Sequence, residues 1–313
     1  MYSGYSFKWS NRHTAAALGV AASASAAYAA YRLYRYHGYF SRAGIRPISE
    51  GDLPEVKRAV DEYLQFHYAN AQEILPYQHS PKEALHFLSR LMVLCERNCL
   101  ALQDFTGEQG PVTALDLGCA VGGSSFALAR AFQQVVGVDS SAHFIKSAQV
   151  LQREGVLAYT SIEEGEITAT RLAQLPNDVE TDRVQFLQAD LCRLPQNLVQ
   201  FDAVLAANVV ERLANPGLFL DQLAGLVKAS GVVVLASAFS WCEHDTPKGN
   251  WLGGFYKKAN EPVRSLDGMK QHMEPHFDLI EQEDIPYLIR RHARKYEWGV
   301  SCCTVWRRRR DKG

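Results

Sequence analysis

Along most of the chain the apolar positions switch between two periods. Residues 53–68 and 81–102 repeat at helical spacing, with Leu85, Leu88, Leu91, Met92 and Cys95 on one face of the second stretch. Pro111 breaks that pattern. Short apolar runs of strand length follow at 112–117, 135–138, 184–188, 201–206 and 232–236, separated by helical patterns at 124–132, 142–153 and 216–228. Strands that alternate with helices predict a parallel sheet covered on both faces. Two stretches, 158–182 and 237–263, fit neither period and read as irregular. The second is rich in Gly, Pro and aromatic residues, a composition that suits a binding loop better than a linker.

Composition adds a boundary to this pattern. The chain has 313 residues, 47% hydrophobic and 21% charged, enough for one sizeable core and unlike a disordered, collagen-like or polytopic membrane chain. The net charge of −1 carries no global mark of a nucleic-acid binder, but it conceals an asymmetry. Residues 1–49 hold six basic residues and no acid, which leaves 27 basic against 34 acidic residues, about −7, for residues 50–313. The expected organisation is a basic leader, 1–49, followed by one domain, 50–313.

Within the leader, residues 14–31 are uncharged and mostly Ala. Their length permits a membrane span, although Ala contributes little to insertion. Three readings stay open: membrane attachment through residues 14–31, an organellar (mitochondrial-type) targeting presequence, and a soluble helical extension that would leave the protein cytoplasmic. Seven cysteines, an odd number without a C-x-x-C pair, point to a reducing compartment and away from a zinc ribbon. The basic run Arg307–Arg310 lacks interleaved aromatics beyond Trp306 and reads as a solvated tail, so no nucleic-acid partner is expected.

The strongest chemical signal is Leu115-Asp116-Leu117-Gly118-Cys119-Ala120-Val121-Gly122-Gly123-Ser124, a glycine loop between a predicted strand and a predicted helix. Gly118 allows a tight turn and Gly122 a close approach of backbone and ligand. Three further positions end predicted strands: Asp139 with Ser140, Asp190 with Leu191, and Asn208. Ligands of open α/β sheets bind at such carboxyl ends. A nicotinamide-binding domain is the rival reading, but its G-x-G-x-x-G spacing is absent.

The loop resembles motif I of the class I S-adenosylmethionine (SAM) methyltransferases, with Ala120 where a middle glycine is usual. That resemblance implies a Rossmann-like α/β fold with a mostly parallel seven-stranded sheet and N-terminal lid helices. It implies SAM as cofactor, held by Asp116, Gly118, Cys119, Ala120, Gly122, Asp139, Ser140, Asp190, Leu191 and Asn208. In that scheme Asp139 receives the ribose hydroxyls, Asp190 the adenine amino group, Leu191 packs on the ring, and Asn208 lies beside the transferable methyl as the candidate catalytic residue. Cys119 reads as a small packing residue rather than a nucleophile.

A longer resemblance runs through 63–68, 115–130, 164–166, 206–213, 240–248, 251–255, 285–290 and 293–296. It is to the 4-mercaptohistidine N1-methyltransferase family, often the C-terminal domain of the ovothiol synthase OvoA. It implies methyl transfer from SAM to an imidazole nitrogen of 5-thiohistidine, the last step of ovothiol A formation. The ten histidines are scattered without an H-x-x-x-H-x-E grouping, so no metal site is expected. The thiolated substrate would then come from a separate sulfoxide synthase. Expected acceptor-site residues are Tyr63, His67, Tyr68, Arg212, Trp241, Thr246, Trp251 and Arg290. Each has a plainer alternative. The first three would be core or surface residues of a helix, and Arg212 would pair with Glu211 at a helix start. Trp241, Thr246 and Trp251 would cover a sheet edge, and Arg290 would sit on a solvated basic face. Two other functions stay open: a SAM-dependent N- or S-methyltransferase acting on histidine or a related thiol, and a non-catalytic, membrane-attached SAM-binding module.

Overall fold

The computed structural model describes residues 54–99, 110–196, 198–257 and 260–310. The leader, with its membrane-attachment and targeting readings, lies outside the described residues. The chain separates into two units, Met1–Lys57 and Arg58–Gly313. Of the first, only residues 54–57, the opening turn of a helix, are described. Among the described residues no helix is long and apolar enough to cross a membrane.

One seven-stranded sheet organises the second unit. In chain order its strands are β1 (Thr113–Leu117), β2 (Gln134–Asp139), β5 (Val184–Gln188), β6 (Phe201–Ala207), β7 (Val227–Ser237), β10 (Phe277–His292) and β11 (Lys295–Arg308). Across the sheet they run β10-β11-β7-β6-β1-β2-β5. The five strands from β7 to β5 are parallel, and β11 enters antiparallel between β7 and β10. Because β1 pairs with β2 on one side and β6 on the other, the order reverses there, which makes the carboxyl ends of β1 and β6 a topological switch point. This is the Rossmann-like methyltransferase fold expected from the sequence.

The apolar runs are explained by burial on both faces. All five residues of β1 are buried, as are six of the seven in β6. The main core joins Leu115, Val204, Leu235, Phe219, Leu223 and Trp306, each at most 1% exposed. The flanking helices are α1 (Pro54–Tyr68), α2 (Ala71–Ile74), α3 (Phe87–Asn98), α4 (Gly123–Leu128), α5 (Ala142–Glu154), α6 (Pro216–Leu226) and α7 (Ser265–Met273).

Three readings of the pattern need correction. Residues 81–102 are not one helix. A 3-10 turn, Lys82–His86, precedes α3, which stops at Asn98, where Arg307 Nη2 captures the Asn98 carbonyl at 3.1 Å. Residues 158–182 are not irregular. They hold most of a hairpin, β3 (Val156–Glu164) and β4 (Ile167–Gln174), turning at Gly165 with φ +55°. Buried positions alternate along β3, and the two-residue turn with glycine first is a standard hairpin connection. The loop 237–263 is mostly irregular, as expected, yet it carries a 3-10 turn (Lys248–Asn250) and two short paired strands, β8 (Phe255–Tyr256) and β9 (Pro262–Val263).

Candidate active site

The switch point opens into a cavity of about 350 Å³, a size ordinary for a small-molecule site. Its floor is the glycine loop. Gly118 has φ +83° and Ala120 φ +46°, so the chain turns sharply out of β1; the N–H groups of Gly118 and Cys119 both donate to the Val138 carbonyl. Asp139, at the end of β2, steadies the loop from the side. Its Oδ2 accepts from Ala120 N at 3.0 Å and its Oδ1 from Ser141 N at 2.8 Å. Burial raises the Asp139 pKa, and those two N–H donors oppose the rise. Asp190, just past β5, is exposed with Oδ1 accepting from Cys192 N, and buried Leu191 lies beside it.

Asn208 ends β6 in the left-handed region, φ +52°, a conformation Asn tolerates better than most residues. Its N–H donates to the Ala236 carbonyl at 2.7 Å, and its Oδ1 accepts from Ser301 Oγ at 2.7 Å. The side-chain NH2 is left as the group it can offer a ligand.

Helix α1 closes the cavity from above. Tyr63, Phe66 and His67 line it, and Tyr63 packs against Phe144 with ring centroids 4.9 Å apart. His67 Nδ1 accepts the N–H of Gly123 at 3.1 Å, and Tyr68 donates its hydroxyl to the Val121 carbonyl at 2.7 Å. The lid is thus fastened to the glycine loop. Burial lowers the His67 pKa to about 3, and an accepting Nδ1 places the ring proton on Nε2.

The remaining wall is the arm formed by β10 and β11. Register pairs Tyr287 with Gly299 and Ile289 with Glu297, so these residues share one face of the ribbon, which lines the cavity. A Cβ at Gly299 would sit 2.4 Å from Tyr287 Cζ, so the missing side chain makes room for the tyrosine ring.

Of the expected cofactor residues, Gly118, Ala120, Asp139, Ser140, Asp190, Leu191 and Asn208 line the cavity. Asp116, Cys119 and Gly122 do not; they support it from beneath. Asp116 is 1% exposed, and its Oδ2 accepts from both Ser124 and Ser125 hydroxyls at 2.6 Å, tying β1 to the start of α4. Burial raises its pKa to about 6, against the two hydroxyl donors. The Cys119 thiol is buried, with its pKa pushed well up, in keeping with a packing role. Gly122, φ +86°, would drive a Cβ to 2.7 Å from Phe186 Cζ.

Of the expected acceptor residues, Tyr63, His67 and Arg212 line the cavity; Tyr68, Trp241, Thr246, Trp251 and Arg290 do not. Tyr68 is spent on Val121. Thr246 is fully buried and donates to the carbonyls of Glu211 and Leu213, and Trp251 donates to the Thr246 carbonyl. Trp241 stacks on Trp251 and donates to Ser265 Oγ. This cluster braces the loop behind the site. Arg290 lies on the opposite face of β10 from Tyr287, by strand parity. It holds the β3–β4 hairpin through Ser161 Oγ, the Ile162 carbonyl and Glu163. Arg212 does not pair with Glu211; its recorded partner is Asp245 at 3.7 Å, while buried Glu211 accepts from Ser237 Oγ and Ala238 N.

Sequence reasoning missed Ser124, Phe144, Ser240, Tyr287, Ile289 and Glu297, all of which line the cavity, and did not place Glu211 there. For the arm a signal existed: alternate positions 287 and 289 sit in one of the stretches that carry the longer resemblance.

The residues present fit SAM. Asp139 and Asp190 offer carboxylates at the carboxyl ends of β2 and β5 for hydroxyl and amino donors, Leu191 an apolar surface, and the glycine loop a wall without side chains at Gly118. Among the described residues no group of three or more His, Cys, Asp or Glu is placed to hold a metal ion.

Residues 115–235 match the family Methyltransf_11, a methyltransferase domain. A ubiquinone biosynthesis O-methyltransferase of Rhodopseudomonas palustris (strain HaA2) is 30% identical over 142 residues, 45% of this chain and 44% of that protein. One from Bradyrhizobium sp. (strain ORS 278) is 29% identical over 146 residues, 45% of this chain and 44% of that protein. The aligned region spans less than half the length of these curated relatives. A solved structure of magnesium protoporphyrin IX methyltransferase (ChlM) from Synechocystis PCC 6803 with bound S-adenosylhomocysteine covers 80% of this chain and 94% of its own, at 15% identity and a TM-score of 0.47. Residues 115–235 thus match a methyltransferase domain, and the sheet order and glycine loop around them are those of the Rossmann-like methyltransferase fold, whose cofactor is S-adenosylmethionine.

Proposed function

We propose that this protein is a SAM-dependent N-methyltransferase that methylates an imidazole nitrogen of 5-thiohistidine, forming ovothiol A. One observation carries the reading. Stretches of the longer resemblance that lie far apart in sequence, around 63–68, 115–130, 206–213, 240 and 285–290, supply the lid, floor and arm of a single cavity. A resemblance confined to the cofactor loop would leave the lid and arm unexplained.

SAM supplies an electrophilic methyl on a sulfonium. The protein's own residues must bind, orient and exclude water. Neutral imidazole already carries a lone pair, so orientation matters more than a strong base; the reacting atoms need a separation of roughly 3–3.5 Å. Asn208 NH2, at the mouth beside β6, can donate to a polar group of the substrate other than the attacking nitrogen, whose lone pair has to stay free for the methyl. The aromatic wall of Tyr63, Phe66, Phe144 and Tyr287 suits a flat heterocycle and keeps water from the transfer. The substrate of this reading is the product of a C–S bond-forming reaction on histidine.

O-methylation of a phenolic acceptor is the second reading, favoured by the names of the curated relatives. Incubating the purified chain with SAM and equal concentrations of 5-thiohistidine, histidine or a catechol separates the two. Methylated thiohistidine as the main product supports the first reading, and methylated catechol without it supports the second.

A further inference from the structure

The charged residues lining the cavity form an uneven set: Asp139, Asp190, Glu211 and Glu297 against Arg212, with His67 held neutral. Asp139 and Asp190 are assigned to SAM. Glu211 is 2% exposed and engaged by Ser237 Oγ at 2.6 Å and Ala238 N at 3.1 Å. Glu297 and Arg212 remain, one of each sign, and neither is among the residues assigned to the cofactor above.

Glu297 is a built position rather than a stray surface acid. It sits beside Ile289 on the cavity face of the arm. Arg291 grips it from the next strand, and both recorded contacts, from Nε and Nη2, fall on Oε2. The other arm of the same guanidinium, Nη1, reaches Glu62 Oε2 of the lid helix at 2.5 Å. One arginine therefore sets the rotamer of Glu297 and joins it to the lid that carries Tyr63. Among the described residues none hydrogen-bonds to Oε1 of Glu297, which leaves it free to accept. Tyr287, over Gly299, lines the same cavity as Glu297, Glu211 and Arg212. Arg212 ends the 3-10 turn Val210–Arg212 that follows β6, 58% exposed and only loosely tied to Asp245 at 3.7 Å, so its guanidinium can reorient toward a ligand.

We propose that the acceptor subsite is built for a zwitterion, with Glu297 receiving an α-ammonium group and Arg212 a carboxylate. The acceptor class is then a free α-amino acid rather than an apolar phenol. This rests on the reading that the cavity holds SAM with a small acceptor, and it gives the carboxylate to Arg212, since the hairpin occupies Arg290. Arg291 is a positioning residue that acts through Glu297.

The test is calorimetric titration of the full chain saturated with S-adenosylhomocysteine. The ligands are 5-thio-L-histidine, its des-amino analogue and its decarboxylated analogue. The parent should bind at least about tenfold more tightly than either truncated ligand, the value of one lost charge-assisted contact. E297Q should weaken the parent and the decarboxylated ligand by about tenfold or more and leave the des-amino ligand within about twofold; E297D should restore part of the loss. R212Q should show the mirror pattern, sparing the decarboxylated ligand. A merely structural role for either residue would shift all three ligands alike, and that result overturns the proposal. So does equal binding of parent and truncated ligands, or binding of a catechol without any α-amino acid. Selective binding of the parent without methyl transfer to it leaves the zwitterion subsite standing and removes the thiohistidine reaction.

Discussion

Gly118 and Val209 compete for one space at the switch point: a Cβ on Gly118 would lie 2.2 Å from Val209 Cγ1. The two residues belong to the carboxyl ends of β1 and β6, where the sheet order reverses. Gly118→Ala should therefore combine a left-handed alanine with an overpacked contact, costing about 2–5 kcal/mol and most of the SAM affinity. Val209→Ala in the same chain removes the clash but not the backbone strain, so it should restore part of the loss. Thermal unfolding and SAM titration of the single and double variants read both effects; no rescue would show that the Val209 contact is not what excludes a side chain.

Asp116 and His67 brace the same loop and should respond to pH in opposite senses. The Asp116 pKa is raised to about 6 in the fold, above its ordinary value near 3.9. Its contribution to stability is fully present below about pH 4 and fades as pH rises through 6, on the order of 3 kcal/mol in all. The His67 pKa is lowered to about 3, so its contribution is present above about pH 6.5 and is lost as pH falls toward 3. Between pH 4 and 6.5, Asp116→Asn should remove a term that falls with pH, and His67→Asn one that rises. Unfolding free energies across that window, compared with the parent, should move in opposite directions; parallel shifts would contradict the assignment.

Asp139 is expected to serve two masters. Its carboxylate accepts from Ala120 N and Ser141 N, and lone pairs remain for ribose hydroxyls. Asp139→Ala should weaken SAM binding by about 1.5–3 kcal/mol, roughly tenfold to a hundredfold. Unchanged affinity by calorimetry would show that the carboxylate only supports the loop.

Arg290 holds the β3–β4 hairpin and should behave as a structural residue. Its side chain is 4% exposed and ion-paired with Glu163 at 2.9 Å. Arg290→Met leaves Glu163 with Arg171 alone, at 3.3 Å, and deprives Ser161 and the Ile162 carbonyl of their donor, so it should cost about 1–3 kcal/mol of stability. The KM for the acceptor in the folded variant should stay near the parent value. A large rise in KM with unchanged stability would return Arg290 to the substrate site.

The parallel half of the sheet was legible because strands buried on both faces leave continuous apolar runs, as at 112–117 and 201–206. That Asp139, Asp190 and Asn208 line the cavity followed from the rule that sites lie at strand carboxyl ends. The hairpin was hidden because one of its faces is wet. Val156–Glu164 mixes Tyr159 and Leu157 with polar residues, and the result resembles a loop until Gly165 is read as a turn. The acceptor side was harder. Residue type alone cannot tell Arg290 from Arg291; only strand parity assigns the first to the hairpin and the second to the Glu297 clamp. Trp241, Thr246 and Trp251 looked like a pocket wall because buried aromatic loops and ligand-binding loops share a composition.

Transfer to the ring nitrogen is read by following 13C-methyl SAM with the full chain and 5-thiohistidine by NMR. A labelled methyl resonance coupled to imidazole ring carbons is expected, formed together with S-adenosylhomocysteine and absent without the acceptor. A methyl carried on sulfur, or no transfer to thiohistidine while a phenolic acceptor is methylated on oxygen, would contradict it.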